Sequence, residues 1–152
     1  MAQHDLSVNI QTGEETLTAV SDAGMAARAA SNIMPPTTTD VQVERTLRLA
    51  GGFDYDFGDA RGVHRIGTTL ADMAGWDEVT TVAQALIALG QTSSLIDVQT
   101  DTGACQVTPL EWMAILIAAA GFRQPIWHGS FALQGIDPIP ADYATNETYW
   151  AT

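Results

Sequence analysis

The sequence predicts an α+β domain in which two β-hairpins alternate with two principal helices, preceded by an extended N-terminal arm. Three observations carry that reading. Strand-like residues flank a glycine-containing turn twice, at Asp59-Ala60-Arg61-Gly62 and at Thr100-Asp101-Thr102-Gly103. A threonine able to cap a helix stands at Thr68 or Thr69, ahead of Asp72, and a capping box with proline at the first helical position stands at Thr108-Pro109-Leu110-Glu111. Finally, 152 residues with 46% apolar and only 16% charged side chains suffice for one buried core without disulfides.

Residues 1 to 40 read as an arm and linker. Leu6, Val8 and Ile10 alternate like a strand, an Ala-rich piece follows around Met25 to Ala30, and Met34-Pro35-Pro36 leads into three threonines. So few large apolar residues do not outweigh the entropy of ordering, so the arm is either a disordered leader or ordered by docking on a neighbour. The domain proper spans residues 41 to 136. Val41, Val43, Leu47 and Leu49 precede Gly51-Gly52, and Phe53, Tyr55 and Phe57 then alternate with Asp54 and Asp56 as a half-buried strand. The first hairpin runs from Phe53 to Ile66.

A helix follows from Thr68 or Thr69, with Asp72 in its first turn and Gly90 as its C-terminal cap. Its apolar residues, among them Leu70, Met73, Trp76, Val79 and Val82, recur mostly in threes. The stripe therefore drifts, so this segment is either one helix buried on two faces or two helices broken at Gly75. The second hairpin joins Leu95–Gln99 to Ala104–Val107. Pro109 at the first helical position then opens the main helix, which is apolar almost all round through Ala120. Pro125 is expected to kink or end it near Phe122, with a second helical piece beyond and an irregular tail over residues 137 to 152.

Eighteen acidic residues against six arginines and no lysine give a net charge of −12, which repels nucleic acid and anionic membranes. The longest apolar block, Met113 to Ala120, is too short to span a bilayer, and no secretion signal opens the chain. The Asn146-Glu147-Thr148 acceptor pattern is therefore only formal. The single Cys105 excludes a disulfide framework and a cysteine-based zinc site.

Asp54, Asp56 and Asp59 are the weak metal candidates, since a hard cation wants closely spaced oxygens. Their spacing departs from an EF-hand and no distal Glu follows, so they read as the solvated strand face and the opening of a turn. His4, His64 and His128 are too far apart for a ligand set. Cys105 and Ser130 lack a nucleophile-elbow context, and Gly51-Gly52, Gly58 and Gly62 make no phosphate loop, so neither catalysis nor a cofactor is expected. Trp127, Phe131, Tyr143, Tyr149 and Trp150 exceed what a short tail easily buries; they either anchor a subunit interface or fold back over the core. Arg28, Arg45, Arg48, Arg61, Arg65 and Arg123 are available to pair with acidic neighbours in either case.

The order of hairpin, helix, hairpin and capped helix, with Trp76 in the first helix and Thr108-Pro109-Leu110-Glu111-Trp112 opening the second, resembles an uncharacterised small domain family. That family is encoded in the tail-fibre and tail-tip regions of bacteriophages and prophages of proteobacteria. The likeness covers roughly residues 45 to 136 and rests on structural motifs, and the long arm departs from it. The resemblance implies a non-enzymatic phage protein made in the host cytoplasm and built into the virion tail, at the baseplate, tip or fibre. It would act as a homo-oligomer, a trimer or hexamer, attached to other tail proteins by its arm, with Leu6, Val8 and Ile10 as contacts. A transient fibre-assembly chaperone and a host-surface binding module are the alternatives.

Overall fold

The computed structural model describes residues 4–8, 15–19 and 34–151. The chain divides into two compact units, one ending at Pro35 and one starting at Pro36. In the first, β1 (His4–Val8) pairs antiparallel with β2 (Glu15–Ala19), with Leu6 opposite Leu17 and Val8 opposite Glu15. The strand predicted from Leu6 and Val8 is present, and within the segment expected to be an arm it pairs with a second strand of the same chain. Ile10 lies outside the described residues.

The second unit opens with α1 (Thr38–Leu49), a helix that begins in the last three residues of the predicted linker and continues through Val41 to Leu49, a stretch of the domain to which the sequence assigned no element. Thr37 caps it, accepting from the Asp40 amide while Asp40 accepts from the Thr37 amide at 2.7 Å. The helix escaped notice because its inward stripe is only half apolar: Val41 and Leu49 share it with Glu44, Arg45 and Arg48, whose stems pack while Arg48 bonds Glu44 and Arg45 bonds Ser130 through one guanidinium nitrogen, its Nε left without a partner among the described residues. The hairpin of β3 (Phe53–Asp56) and β4 (Val63–Ile66) follows, pairing Phe53 with Ile66 as expected.

Next comes α2 (Leu70–Ala88), capped reciprocally by Thr69 and Asp72. It runs through Gly75 as one helix of 19 residues. Gly90, at φ +71°, ends it: the amide of Gln91 reaches back to Leu86 and that of Gly90 to Ile87, a left-handed cap that only glycine adopts without cost. Then β5 (Ile96–Thr100) and β6 (Gly103–Val107) form the second hairpin around a two-residue turn.

The last helix, α3 (Pro109–Gln134), starts at the predicted Thr108 and Glu111 capping box. It continues through Pro125 for 26 residues, so of the expected kink or end the end is corrected. The ring costs the helix one backbone bond, to the carbonyl of Gly121, and packing on both sides of that point offsets the loss. Phe53, Ile66, Trp76, Val98, Val107 and Ile115 build a first core around the front half of α3. There the Trp76 and Trp112 rings meet edge to face, centroids 5.6 Å apart, and the Trp112 indole donates to Thr80 Oγ1 at 2.9 Å.

Val41, Ile126, Leu133, Ile139 and Trp150 build a second core around the back half, with Phe122 touching both. The expected irregular tail is part of this core. It carries a short 3-10 turn, Glu147–Tyr149, and lays Trp150 against α1 and α3 with only 3% of its surface exposed. Gly129 makes that approach possible, because a Cβ there would collide with the Tyr149 carbonyl oxygen and crowd the Trp150 backbone.

Candidate functional site

The predicted aromatic residues separate into two groups. Trp150, Tyr143 and Tyr149 fold back over the second core, and the Trp150 indole donates to the Tyr143 carbonyl at 2.7 Å. Two arginines of α1 seal this region. Arg45 stacks over Trp127 at 4.2 Å and donates to Ser130 Oγ, while Arg48 lies over Trp150 at 4.7 Å and bonds Glu44, Glu147 and the Ala144 carbonyl. Phe131 is different: it touches Trp127, with ring centroids 5.7 Å apart, but stays 62% exposed.

Phe131 ends a row that sequence reading missed. Leu110, Ala114, Ile117, Gly121, Gln124, His128 and Phe131 recur at alternating steps of four and three along α3, and every one is exposed. This is the spacing of a helix seam, about 31 Å long at 1.5 Å per residue. Leu110 is 57% and Ile117 75% exposed. None of the seven is Asp, Glu, Lys or Arg, in a chain of net charge −12. Gly121, Gln124, Pro125 and His128 line a shallow hollow at its centre. The periodicity was hidden because α3 is apolar on its buried side as well, so neither side stands out in the sequence.

The chemistry-bearing residues are placed separately. Asp54 binds Arg65 at 3.0 Å, Asp56 accepts from the Gly58 amide at 2.8 Å, and Asp59 accepts from Arg61 at 2.6 Å. The weak metal candidates thus point to three different partners, and among the described residues no group of three or more His, Cys, Asp or Glu is placed to hold a metal ion. Arg61 also reaches Glu111, so one guanidinium ties the first hairpin to the start of α3 and to the Gln106 carbonyl of β6. It holds the Asp59 and Glu111 carboxyls well below their ordinary range, both at about 2, with the capping amide of Thr108 also bonded to Glu111.

His64 Nδ1 lies 3.0 Å from Thr100 Oγ1, and His4 belongs to β1 of the first unit. Cys105 is buried in the first core, and burial pushes its thiol up, away from the reactive thiolate. Ser130 is fully buried, bonded to Arg45 and to Gln134. No helix among the described residues is long and apolar enough to cross a membrane.

Comparison of the chain with profiles of known protein families, with curated proteins and with solved structures finds no match.

Proposed function

We propose that this protein is a non-enzymatic structural component of a bacteriophage tail, working as a homo-oligomer. The resemblance of residues 45 to 136 supports the tail assignment. The observation that carries the assembly role is the exposed seam from Leu110 to Phe131. Copies of a chain with net charge −12 repel one another, and they meet at least cost through a surface that carries no formal charge. The first unit, with its β1–β2 hairpin, is the element that attaches the oligomer to its neighbours in the tail.

Two measurements test this reading. Light scattering on the purified chain is expected to show a trimer or hexamer that Ile117→Glu converts to monomer, with association strengthened by salt as the net repulsion is screened. A monomeric wild type at millimolar concentration refutes the seam. Quantitative mass spectrometry of purified particles is expected to find the protein at a copy number that is a small multiple of three or six. Its absence from particles refutes the virion role and leaves the assembly chaperone.

A further inference from the structure

The molecule has a second surface, independent of the seam and of the tail reading. Between α2 and β5 lies a groove of about 470 Å³, within the range of about 300–1,000 Å³ typical of ligand sites. Its lining is largely apolar: the partly exposed Val79, Val82 and Ile96 lie over the buried Ile66, Trp76, Val98, Trp112 and Ile115 of the first core. Its rim carries Asp72, Glu78, Asp97 and Asp101, and among the described residues no Lys, Arg or His lines it.

At one end two of these carboxylates converge. A Cβ built on Gly67 would sit 2.6 Å from Asp72 Oδ2 and 2.8 Å from Asp101 Oδ1, so two like charges face each other across a bare glycine. Asp72 already caps α2 and Asp97 accepts from Gln106, yet among the described residues no cation is bonded to any of the four.

The wall opposite α2 is a strand edge. In a two-residue hairpin the pair flanking the turn, here Thr100 and Gly103, exchanges both backbone bonds. The alternation of an antiparallel ladder then turns the backbone groups of Val98 and Ile96 toward β6 and those of Asp97 and Gln99 away from it. Both outward-turned residues line the groove. Among the described residues of this edge only Asp101, past the strand end, makes a backbone bond to another strand, its amide donating to the Arg65 carbonyl at 2.9 Å.

We propose that this groove binds an extended peptide segment of alternating apolar and basic residues from a partner protein. The peptide adds as a strand to the open edge of β5. Its apolar side chains enter between Trp76 and Val98, and a lysine or arginine is held by Asp101 and Asp72. Three properties select that occupant: an unpaired strand edge wants a backbone, an apolar floor wants every second side chain, and an uncompensated acidic rim wants cations. This acidic chain is a poor occupant for its own groove.

The probe is an eight-residue peptide of alternating valine and arginine, with a valine–glutamate peptide as control, titrated into the full chain by NMR. The arginine peptide is expected to bind, to shift the amides of Asp97 and Gln99 and the indole protons of Trp76 and Trp112, and to weaken with salt; the glutamate peptide is not. Gly75 lines the groove on an exposed stretch of α2, and a Cβ there meets nothing within 4 Å. Gly75→Leu therefore fills the groove without disturbing the helix and is expected to weaken binding roughly tenfold or more. The double substitution Asp97→Asn and Asp101→Asn is expected to weaken it severalfold at low salt and little at high salt. Phe131→Glu, on the seam, is expected to leave it unchanged. No binding of the arginine peptide at millimolar concentration overturns the proposal, as does equal binding to Gly75→Leu, or loss through Phe131→Glu alone.

Discussion

Around its front half α3 packs against two hairpins and α2, all drawn from residues 53 to 107, through aromatic and aliphatic contacts such as Trp76 on Trp112. Around its back half it packs against α1 and the tail, the two ends of the second unit, which Arg48 joins to Glu147 across 99 residues of chain. The front core closes through short turns and caps. The back core has a longer loop to close, and it adds to its aliphatic side chains the stems of Arg45 and Arg48, stacked on Trp127 and Trp150. The comparison teaches that one helix belongs to two packing regimes, with Phe122 as the residue common to both.

The largest expected effect tests whether the regimes are coupled. Trp112→Ala removes the most buried ring of the front core and its bond to Thr80, at a cost of about 4 kcal/mol. Because α3 runs uninterrupted through both cores, urea unfolding followed at the hairpins and at Trp150 should shift together. A tail that keeps its native signal after the hairpins unfold would separate the two cores.

Gly129→Ala strikes the back core alone. The added methyl displaces the backbone of Tyr149 and Trp150, with a cost of about 2 kcal/mol. Hydrogen exchange should accelerate over α1 and residues 139 to 150 while the hairpin amides keep their protection. Uniform acceleration would show that the tail supports the whole unit.

A smaller change of opposite sign belongs to α2, where Gly75→Ala should raise stability by about 1 kcal/mol, read from the urea midpoint, since the position is exposed and open. A destabilised variant would refute the open surroundings of Gly75.

The smallest effect is electrostatic and confined to the front. Arg61 holds the Asp59 and Glu111 carboxyls at about 2, below their ordinary values of 3.8 and 4.5. Between those values the unfolded chain binds more protons than the folded one, so stability rises with pH there. The contribution is complete above about pH 4.5 and is lost as pH falls toward 2. Arg61→Gln should flatten the melting temperature against pH across that window, and an unchanged slope would mean the ion pairs are fully screened.

Much of the front core was legible in the sequence. Turns at Arg61-Gly62 and Thr102-Gly103 and caps at Thr69 and Thr108 act within a few residues, so residue type and spacing reveal them. α1 was missed although Thr37 and Asp40 spell a capping box, because Arg45 and Arg48 occupy positions where a periodicity argument looks for leucine. The fate of the aromatic residues was open for a related reason: nothing near Phe131 or Trp150 in sequence distinguishes the ring that is exposed from the ring that is buried.

By itself, then, the sequence determined the α+β class, the second unit's two hairpins, the starts of α2 and α3 and the acidic character, since each follows from local backbone chemistry or from composition. Tertiary structure alone decided that Pro125 is carried inside a continuous helix, that Trp150 turns inward while Phe131 stays out, and that carboxylates from α2 and the second hairpin gather on one groove. The physical reason is range: a cap or a turn is completed within about four residues, whereas burial and charge proximity depend on which distant segment lies alongside.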